Sequence, residues 1–233
     1  MYTREARYYD DILSFKDYAA EVRKLVKIIE THLGEGRLSL LDVACGTGRH
    51  LEHLCERYDC EGIDLSPTML EVARERIPYV TLHELDMLTF DLGRAFDVVT
   101  CLFSGIGCVK TIDNLYIAIA RMAAHVKPGG LLIVEPWFTP EQWQQNTVHM
   151  ATVDRPDLKI ARVNTSWAEG RLSIFDLHFL VGTTEKTEHF VEHHEMGLFT
   201  IEEMTASFTQ AGLTVTHDPK GLIGRGLYVG RKQ

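Results

Sequence analysis

LSLLDVACGTGRH, residues 38–50, is the stretch on which the fold depends. It begins with an apolar run, residues 38–43, that ends in a short glycine-containing turn. A helical pattern of apolar residues starts at once with Leu51, so the stretch predicts a buried strand, a tight loop and a helix. Gly46 and Gly48 allow the backbone to approach a ligand closely, and the amides of the first helical turn point toward that ligand. The stretch therefore predicts a binding site.

The ligand of this loop is not decided by the glycines alone, because dinucleotide-binding folds begin in the same way. Their fingerprint has a third glycine three residues after the second, where this sequence has Leu51. Asp42 lies at the approach to the loop, where a carboxylate repels a pyrophosphate and suits a cation. Asp-x-Ala-Cys-Gly-Thr-Gly resembles motif I of the class I S-adenosylmethionine-dependent methyltransferases, whose cofactor carries a sulfonium and an ammonium group. The resemblance assigns four residues to this cofactor: Asp42, Ala44, Gly46 and Gly48.

Length and composition fit one substantial domain. A chain of 233 residues can bury a large core and leaves room for an insertion. It has no apolar run near the roughly 20 residues needed to cross a bilayer, and its first residues, MYTREARYYDD, lack the apolar segment of a signal peptide. We therefore expect a cytoplasmic protein without a membrane partner. Five cysteines, an odd number without paired metal-ligand spacing, predict reduced thiols and no metal site.

The charge of the chain restricts its partners. A formal net charge of -9 argues against a nucleic-acid partner, because nonspecific affinity for nucleic acids comes mostly from Lys and Arg that release counterions. An anionic small molecule would need a local arginine or a cluster of amides.

The second predicted strand, residues 60–64, ends at Asp64 and Leu65. A carboxylate just past the second strand, about 20 residues after the first loop, is placed to accept hydrogen bonds from ribose hydroxyls. The alternative is that this segment only caps the next helix, since Ser66 followed by Pro67 is a good N-cap and first-turn pair. Both roles are compatible, with Ser66 as the cap and Asp64 as the ribose ligand.

Two further segments continue the cofactor site. A third strand, residues 80–84, precedes Asp86 and Met87, and the resemblance to class I methyltransferases implies that the acidic residue meets the adenine amino group while its apolar neighbour covers the ring. A surface aspartate is the alternative. A central strand, residues 96–102, ends at Leu102, and the loop after it faces the chemistry, because ligands of open α/β sheets lie outside the carboxyl ends of strands.

The order of elements predicts an α/β fold with a doubly wound, mostly parallel, seven-stranded Rossmann-like methyltransferase sheet. Residues 1–136 and 199–233 form this domain. Between them, residues 137–198 contain β-rich stretches and hairpin turns, which predict an inserted antiparallel β-sheet. This sheet is expected to roof the substrate or to form the contact of a homodimer. A closing strand, residues 226–230, is expected to pair antiparallel at the end of the main sheet.

Segments along nearly the whole chain resemble the N,N-dimethyltransferases that act on nucleotide-linked amino sugars. The matching text is Lys16-Asp17-Tyr18, residues 41–48 with 50–53, Phe103-Ser104, Glu135-Pro136-Trp137, Glu169-Gly170, Leu177-His178-Phe179, Leu198-Phe199 and Gly224-Arg225-Gly226-Leu227. The resemblance implies S-adenosyl-L-methionine as cofactor, S-adenosyl-L-homocysteine as its product and a TDP-like deoxyamino sugar as acceptor. It adds Tyr18, Leu65 and Leu102 to the cofactor site.

The substrate site follows from the same resemblance and from chemistry. Arg225 is expected to bind the nucleotide pyrophosphate, because guanidinium groups recognise phosphate oxygens bidentately. Cys108 departs from the family, whose members carry histidine or tyrosine there. An aromatic-rich N-terminal segment that includes Tyr2 forms either a lid or ordinary helix packing. The expected substrate ligands are Tyr9, Ser104, Cys108, Trp137, His178 and Arg225.

Methyl transfer depends mainly on alignment of the acceptor with the methyl group. The acceptor amine must also lose a proton, and His178 and His194 in the inserted sheet are the candidate acceptors, with solvent as the alternative. The sequence therefore predicts an N-methyltransferase for an amino sugar. An O- or N-methyltransferase for another small metabolite and a non-catalytic cofactor-binding protein are the competing hypotheses.

Overall fold

A computed structural model describes residues 5–233, so Tyr2 lies outside the described residues. Strands and helices alternate through the first half of the chain, and strands dominate the middle. Within the described residues the strands are β1 (Ser39–Val43), β2 (Asp59–Asp64), β3 (Thr81–Glu84), β4 (Phe96–Cys101), β5 (Val126–Val134), β6 (Thr147–Asp154), β7 (Leu158–Glu169), β8 (Leu172–Thr183), β9 (Thr187–Gly197), β10 (Leu213–Asp218) and β11 (Leu227–Lys232). The helices are α1 (Tyr9–Ile12), α2 (Tyr18–Leu33), α3 (Arg49–Leu54), α4 (Pro67–Arg76), α5 (Ile112–Ala124) and α6 (Ile201–Gln210).

Seven strands form the main sheet in the order β10-β11-β5-β4-β1-β2-β3. The pairs from β5 to β3 are parallel, while β11 is antiparallel to both of its neighbours. The predicted doubly wound, mostly parallel sheet is therefore confirmed. One detail was wrong: β11 was expected at the sheet's end, but it lies between β5 and β10, so β10 forms the edge.

Helices cover both faces of the main sheet. Consecutive strand residues point to opposite faces, and Leu40 and Leu41 accordingly belong to two different cores. Leu25 of α2 packs in the core with Leu40, whereas Leu115 of α5 packs in the core with Leu41. With both faces covered, a ligand is expected at the carboxyl ends of the parallel strands, where ligands of open α/β sheets bind.

Side chains fix where several helices begin. Asp17 accepts a hydrogen bond from the Ala20 amide (2.8 Å) at the start of α2, and Ser66 accepts one from Met69 N at the start of α4. Thr200 and Glu203 form a reciprocal capping box at α6. Caps of this kind contribute about 1 kcal/mol each. The predicted cap at Ser66 is therefore present beside Asp64.

The inserted strands form a separate antiparallel sheet in the order β6-β7-β8-β9. Its inner face packs with Ile12 of α1 through large apolar side chains, among them Ile160, Phe179 and Phe190. β6 was not among the predicted strands. Its largest apolar residues, which include Met150, point outward and are exposed. Burial along β6 therefore does not follow its hydrophobicity.

The outer face of the inserted sheet carries an exposed apolar row. Met150, Val163, His178 and Val191 are partners in register across all four strands, and each is exposed. Across residues 5–233, no helix is both long enough and apolar enough to cross a membrane.

Candidate active site

The glycine loop after β1 is tied to the end of β2 by one carboxylate. Asp64 accepts a hydrogen bond from the Gly46 amide and another from the Ser66 amide, each at 2.8 Å. Burial raises the pKa of Asp64, while its backbone hydrogen bonds lower it. The loop itself has a left-handed backbone at Gly46 (φ 56°) and at Ala44 (φ 57°), which costs a residue with a side chain about 1 to 2 kcal/mol. The carboxylate thus holds two loops in place at the carboxyl ends of β1 and β2.

A first cavity of about 420 Å³ opens beside this loop. Nine of the ten residues expected to bind the cofactor line it: Tyr18, Asp42, Ala44, Gly46, Asp64, Leu65, Asp86, Met87 and Leu102. The side chain of Leu65 is 65% exposed, so a ligand in the cavity would cover an apolar surface that otherwise faces water. Asp86 also accepts the Leu88 amide at 2.8 Å, which fixes its turn.

Gly48 is the one expected cofactor ligand that the structure does not place on the cavity. It caps α3 with a left-handed backbone (φ 76°), and a Cβ there would lie 2.9 Å from the Cδ1 atom of Ile77. The glycine is required because the chain after α4 packs against it. Contact between Gly48 and the cofactor stays a prediction.

Asp42 is the most deeply buried charge of the first cavity. Its side chain is 2% exposed and accepts a hydrogen bond from Thr100 Oγ1 at 2.7 Å. Burial raises its pKa to about 7, the bond from Thr100 lowers it, and the charge of Asp64 raises it. A cationic ligand would stabilise both carboxylates in their charged form.

A second cavity of about 980 Å³ adjoins the first. Tyr9 and Phe103 line both cavities, so the two meet at these side chains. The wall of the second cavity is formed by the N-terminal segment, the loop after β5, the inner face of the inserted sheet and the loop before β11. Besides Tyr9 and Phe103, its aromatic side chains include Trp137, Phe138, Trp143 and Phe175.

Arg225 projects into the second cavity between aromatic rings. Its Cζ atom lies 4.8 Å from the Trp137 ring centroid and 5.1 Å from that of Phe138, and its Nη1 donates a hydrogen bond to Ser104 Oγ at 3.0 Å. Two glycines permit its loop, because a Cβ at Gly221 would lie 2.3 Å from the carbonyl oxygen of Gly226. The guanidinium retains donors for an anionic ligand.

The expected substrate residues divide between the two cavities. Tyr9 lines both, Trp137 lines the second, and Cys108 lines the first, where its Sγ lies 3.9 Å from the Met196 sulfur. Ser104 is buried and lines neither cavity. It donates to the Pro136 carbonyl oxygen at 2.7 Å and accepts from Arg225, so it supports the arginine instead of facing the ligand.

The two candidate proton acceptors lie on opposite faces of the inserted sheet. His194 is buried, lines the second cavity and stacks on Phe175 with ring centroids 5.3 Å apart. His178 is exposed on the outer face, stacks on His189, and lines neither cavity. This position corrects the expectation for His178 both as a base and as a substrate ligand, because neighbouring residues of a strand point to opposite faces.

A buried ionic cluster at the junction was not expected from the sequence. Lys16 pairs with Glu21, whose Oε2 atom lies 3.0 Å from the Nε2 atom of His50. The Lys16 ammonium lies 4.2 Å from the Phe103 ring centroid. A signal was present, because Glu21 occupies the buried stripe of α2 one turn after Tyr18. Within the described residues, no group of three potential metal ligands is found.

The fold and the first cavity define a class of enzyme. A strand, a glycine loop and a helix are followed by acidic residues at the ends of the next two strands, and the buried carboxylate Asp42 suits a cation. The donor set fits S-adenosylmethionine, since Asp64 can accept from ribose hydroxyls and Met87 can cover an adenine. This is the arrangement of the class I S-adenosylmethionine-dependent methyltransferases.

Comparison with known proteins supports the assignment to the methyltransferases. A methyltransferase-domain family matches residues 40–130. A dTDP-3-amino-3,4,6-trideoxy-alpha-D-glucopyranose N,N-dimethyltransferase from Streptomyces venezuelae is 43% identical over 217 residues, which are 92% of this chain and 91% of the relative. The crystal structure of Streptomyces venezuelae DesVI has a TM-score of 0.92 and 41% identity, and the match covers 100% of both chains. S-adenosylmethionine-bound CalS10, an amino pentose methyltransferase from Micromonospora echinaspora, has a TM-score of 0.88 and 36% identity, with 100% of this chain and 98% of that chain covered.

The chain therefore belongs to the family of dTDP-amino-sugar N,N-dimethyltransferases. The predictions that it is a methyltransferase and that its cofactor is S-adenosylmethionine are confirmed.

Cofactor affinity is expected to depend on pH through Asp42. Its pKa of about 7 means that cofactor binding below this pH must first remove a proton. S-adenosylmethionine should therefore bind about tenfold more tightly at pH 7.0 than at pH 5.5, a range in which an α-amino group stays charged. Calorimetry in buffers of different ionisation enthalpy measures the released proton. Asp42→Asn is the control: its affinity should not show this rise, and an equal rise would contradict the assignment.

Proposed function

We propose that this enzyme transfers methyl groups from S-adenosylmethionine to the amino group of a dTDP-linked deoxyamino sugar. The observation that carries the proposal is Arg225, a half-buried guanidinium held at the wall of the second cavity by Ser104 and aromatic rings. A guanidinium placed in this way suits a diphosphate, since it can donate two parallel hydrogen bonds to phosphate oxygens.

The remainder of the second cavity suits a nucleoside. Trp143 and Phe175 offer aromatic faces on which a base can stack. Asn164 and Ser166 line the same wall, joined by a hydrogen bond from Asn164 Nδ2 to Ser166 Oγ at 3.2 Å, and provide polar atoms for a base edge. A cavity of about 980 Å³ is large enough for such a ligand.

The sugar would lie where the two cavities meet, beside Tyr9 and Phe103. Bound cofactor supplies an electrophilic methyl group to this point. The residues of the chain then act by orientation, because an acceptor nitrogen held about 3 to 3.5 Å from the methyl carbon gains most of the available rate. His194 remains the candidate that accepts the amine proton, since its ring lines the second cavity.

The test combines a ligand panel with product analysis. Thymidine diphosphate should raise the midpoint of thermal unfolding by about 5 °C or more at 100 times its dissociation constant, because it binds only the native state. Incubation with cofactor and dTDP-linked 3-amino or 4-amino deoxysugars should give products heavier by one or two methyl groups by mass spectrometry. No stabilisation by any nucleoside diphosphate would favour the alternative, a methyltransferase for another small metabolite.

We propose that two copies of this chain pair through the outer face of the inserted sheet. The exposed row crosses all four strands through Met150, Val163, His178 and Val191, three of which are apolar, so a copy related by a two-fold axis presents the same mostly apolar row to it. Sedimentation of the full chain measures this assembly. We place the reaction in the cytoplasm, where the five cysteines remain thiols.

A further inference from the structure

Glu135 follows β5 at the carboxyl end of the main sheet, and its side chain is 0% exposed. Its amide donates to the carbonyl oxygen of Cys101 at 2.9 Å, which continues the pairing between β4 and β5. Its Oε2 atom accepts the Phe103 amide at 2.7 Å. Glu135 therefore connects two central strands at the point where the cavities open.

The segment held by Glu135 has a strained backbone. Phe103 (φ 48°) and Ser104 (φ 66°) are two consecutive residues with side chains in the left-handed region, which favours glycine. Two bonds hold them there, the one from Phe103 N to Glu135 and the one from Ser104 Oγ to the Pro136 carbonyl oxygen. Without such bonds the turn would relax.

This turn links the cofactor cavity to the diphosphate arginine. The Phe103 ring is a wall of both cavities, with the Lys16 ammonium 4.2 Å from its centroid and the Arg225 guanidinium carbon 5.4 Å from it. Ser104 Oγ is the acceptor for Arg225. A ligand that displaces the Arg225 side chain would therefore also disturb its hydrogen bond with the turn.

Glu135 has more hydrogen-bonding capacity than the turn uses. Among the described residues, its buried Oε1 atom has no hydrogen-bond partner. Burial raises the pKa of Glu135, and the charges of Lys16 and Arg225 lower it. A half-satisfied buried carboxyl is a costly way to hold one amide, and the two nearby cations offset part of that cost.

We propose that Glu135 is a positioning residue for methyl transfer: it fixes the Phe103-Ser104 turn and restrains Arg225, so that diphosphate binding aligns the acceptor at the cavity junction. The proposal rests on the nucleotide-linked acceptor proposed above. Part of the free energy of nucleotide binding is then used to align the acceptor, so loss of the nucleotide lowers kcat as well as raising KM.

The test compares Glu135→Gln with Glu135→Leu, each assayed well below its unfolding temperature. The glutamine retains an acceptor for the Phe103 amide, so its kcat should stay within about threefold of the wild-type value. The leucine leaves that amide unpaired, and kcat should fall about 30-fold or more, since small misplacements of reacting atoms cost up to about 100-fold. Calorimetry with S-adenosylhomocysteine checks whether the cofactor site persists.

A second acceptor separates positioning from support of the fold. In the wild-type enzyme, removal of the nucleotide from the acceptor should lower kcat. In Glu135→Leu the nucleotide-linked and free amino sugars should have similar kcat values, because the link to Arg225 is broken. Ser104→Ala should likewise give similar kcat values for the two acceptors. It replaces the leucine variant in this test if that variant does not fold.

The outcomes are distinguishable. Equal kcat losses in the glutamine and leucine variants, or a lower unfolding temperature with unchanged kcat, would overturn the role of Glu135. If the wild-type enzyme itself methylates no nucleotide-linked amino sugar, the proposed function fails instead.

Discussion

Arg225→Ala should raise the KM for the nucleotide-linked acceptor by about 100-fold. Truncation of one partner of a desolvated, charge-assisted pair costs about 2 to 5 kcal/mol, and 1.4 kcal/mol corresponds to a factor of ten. A 100-fold rise corresponds to about 2.8 kcal/mol, which lies within this range, and two features of the structure support it. The guanidinium is half-buried between the rings of Trp137, Phe138 and Phe103, which would exclude part of the water around a bound phosphate. The ammonium of a nearby lysine, Lys16, is already paired with Glu21.

Arg225→Lys is the matched control for charge. It keeps a cation but loses the planar fork and the stacking on aromatic rings, so its KM should lie between those of the wild-type and alanine enzymes. Steady-state kinetics with varied acceptor gives both values, and calorimetry with S-adenosylhomocysteine should show little change, because Arg225 does not line the first cavity. A rise in KM below about threefold for the alanine variant would remove Arg225 from the diphosphate site.

The sequence was sufficient for the main sheet because each of its signals is local. The apolar strand before Gly46 and the cap at Ser66 each act within a few residues, and the alternation of strands and helices then restricts the topology. The expected cofactor residues, nine of which line one cavity, were grouped for the same reason. Most of them lie at the carboxyl ends of consecutive strands, a position that chain order alone predicts.

The acceptor site was harder to predict because it depends on which way residues face. His178 and His194 are both in the inserted sheet, but the register of the strands points the first side chain outward and the second into the cavity. A shift of one residue along the strands would reverse these directions. Ser104 was expected to touch the ligand and instead supports Arg225, and Gly48 packs against Ile77, the residue that follows α4. Long-range contacts of this kind leave no periodic signal in a sequence.

The cofactor cavity and the acceptor cavity meet at residues that were not among the predicted site residues of either ligand. Phe103, Lys16 and Glu135 are separated by more than thirty positions in the chain and come together only because β4 and β5 are neighbours and the N-terminal segment crosses their ends. Their shared location at the junction gives the protein a means to couple acceptor binding to alignment, which is the main contribution to rate in a displacement of this kind.

Asp64→Ala should weaken the binding of S-adenosylhomocysteine about 100-fold in calorimetry. Hydrogen bonds to a charged group contribute about 1.5 to 3 kcal/mol each, and the carboxylate is expected to accept from the ribose hydroxyls of the cofactor. The variant also removes the acceptor of the Gly46 and Ser66 amides. A loss of affinity alone would therefore not separate ribose recognition from support of the glycine loop.

A 2′-deoxy analogue of S-adenosylhomocysteine makes that separation. The wild-type enzyme should bind the analogue more weakly than the parent ligand, while Asp64→Ala should bind the two alike, because the partner of the hydroxyl is gone. Asp64→Asn keeps an amide oxygen near Gly46 but no charge. Its preference for the parent ligand should lie between those of the wild type and of the alanine variant. If the alanine variant still discriminates between the two ligands as the wild type does, the hydroxyl has another partner and Asp64 serves only the two loops. If it binds S-adenosylhomocysteine with unchanged affinity, the ribose assignment is wrong, and the cofactor must be held chiefly by Asp42 and the residues that would face its adenine.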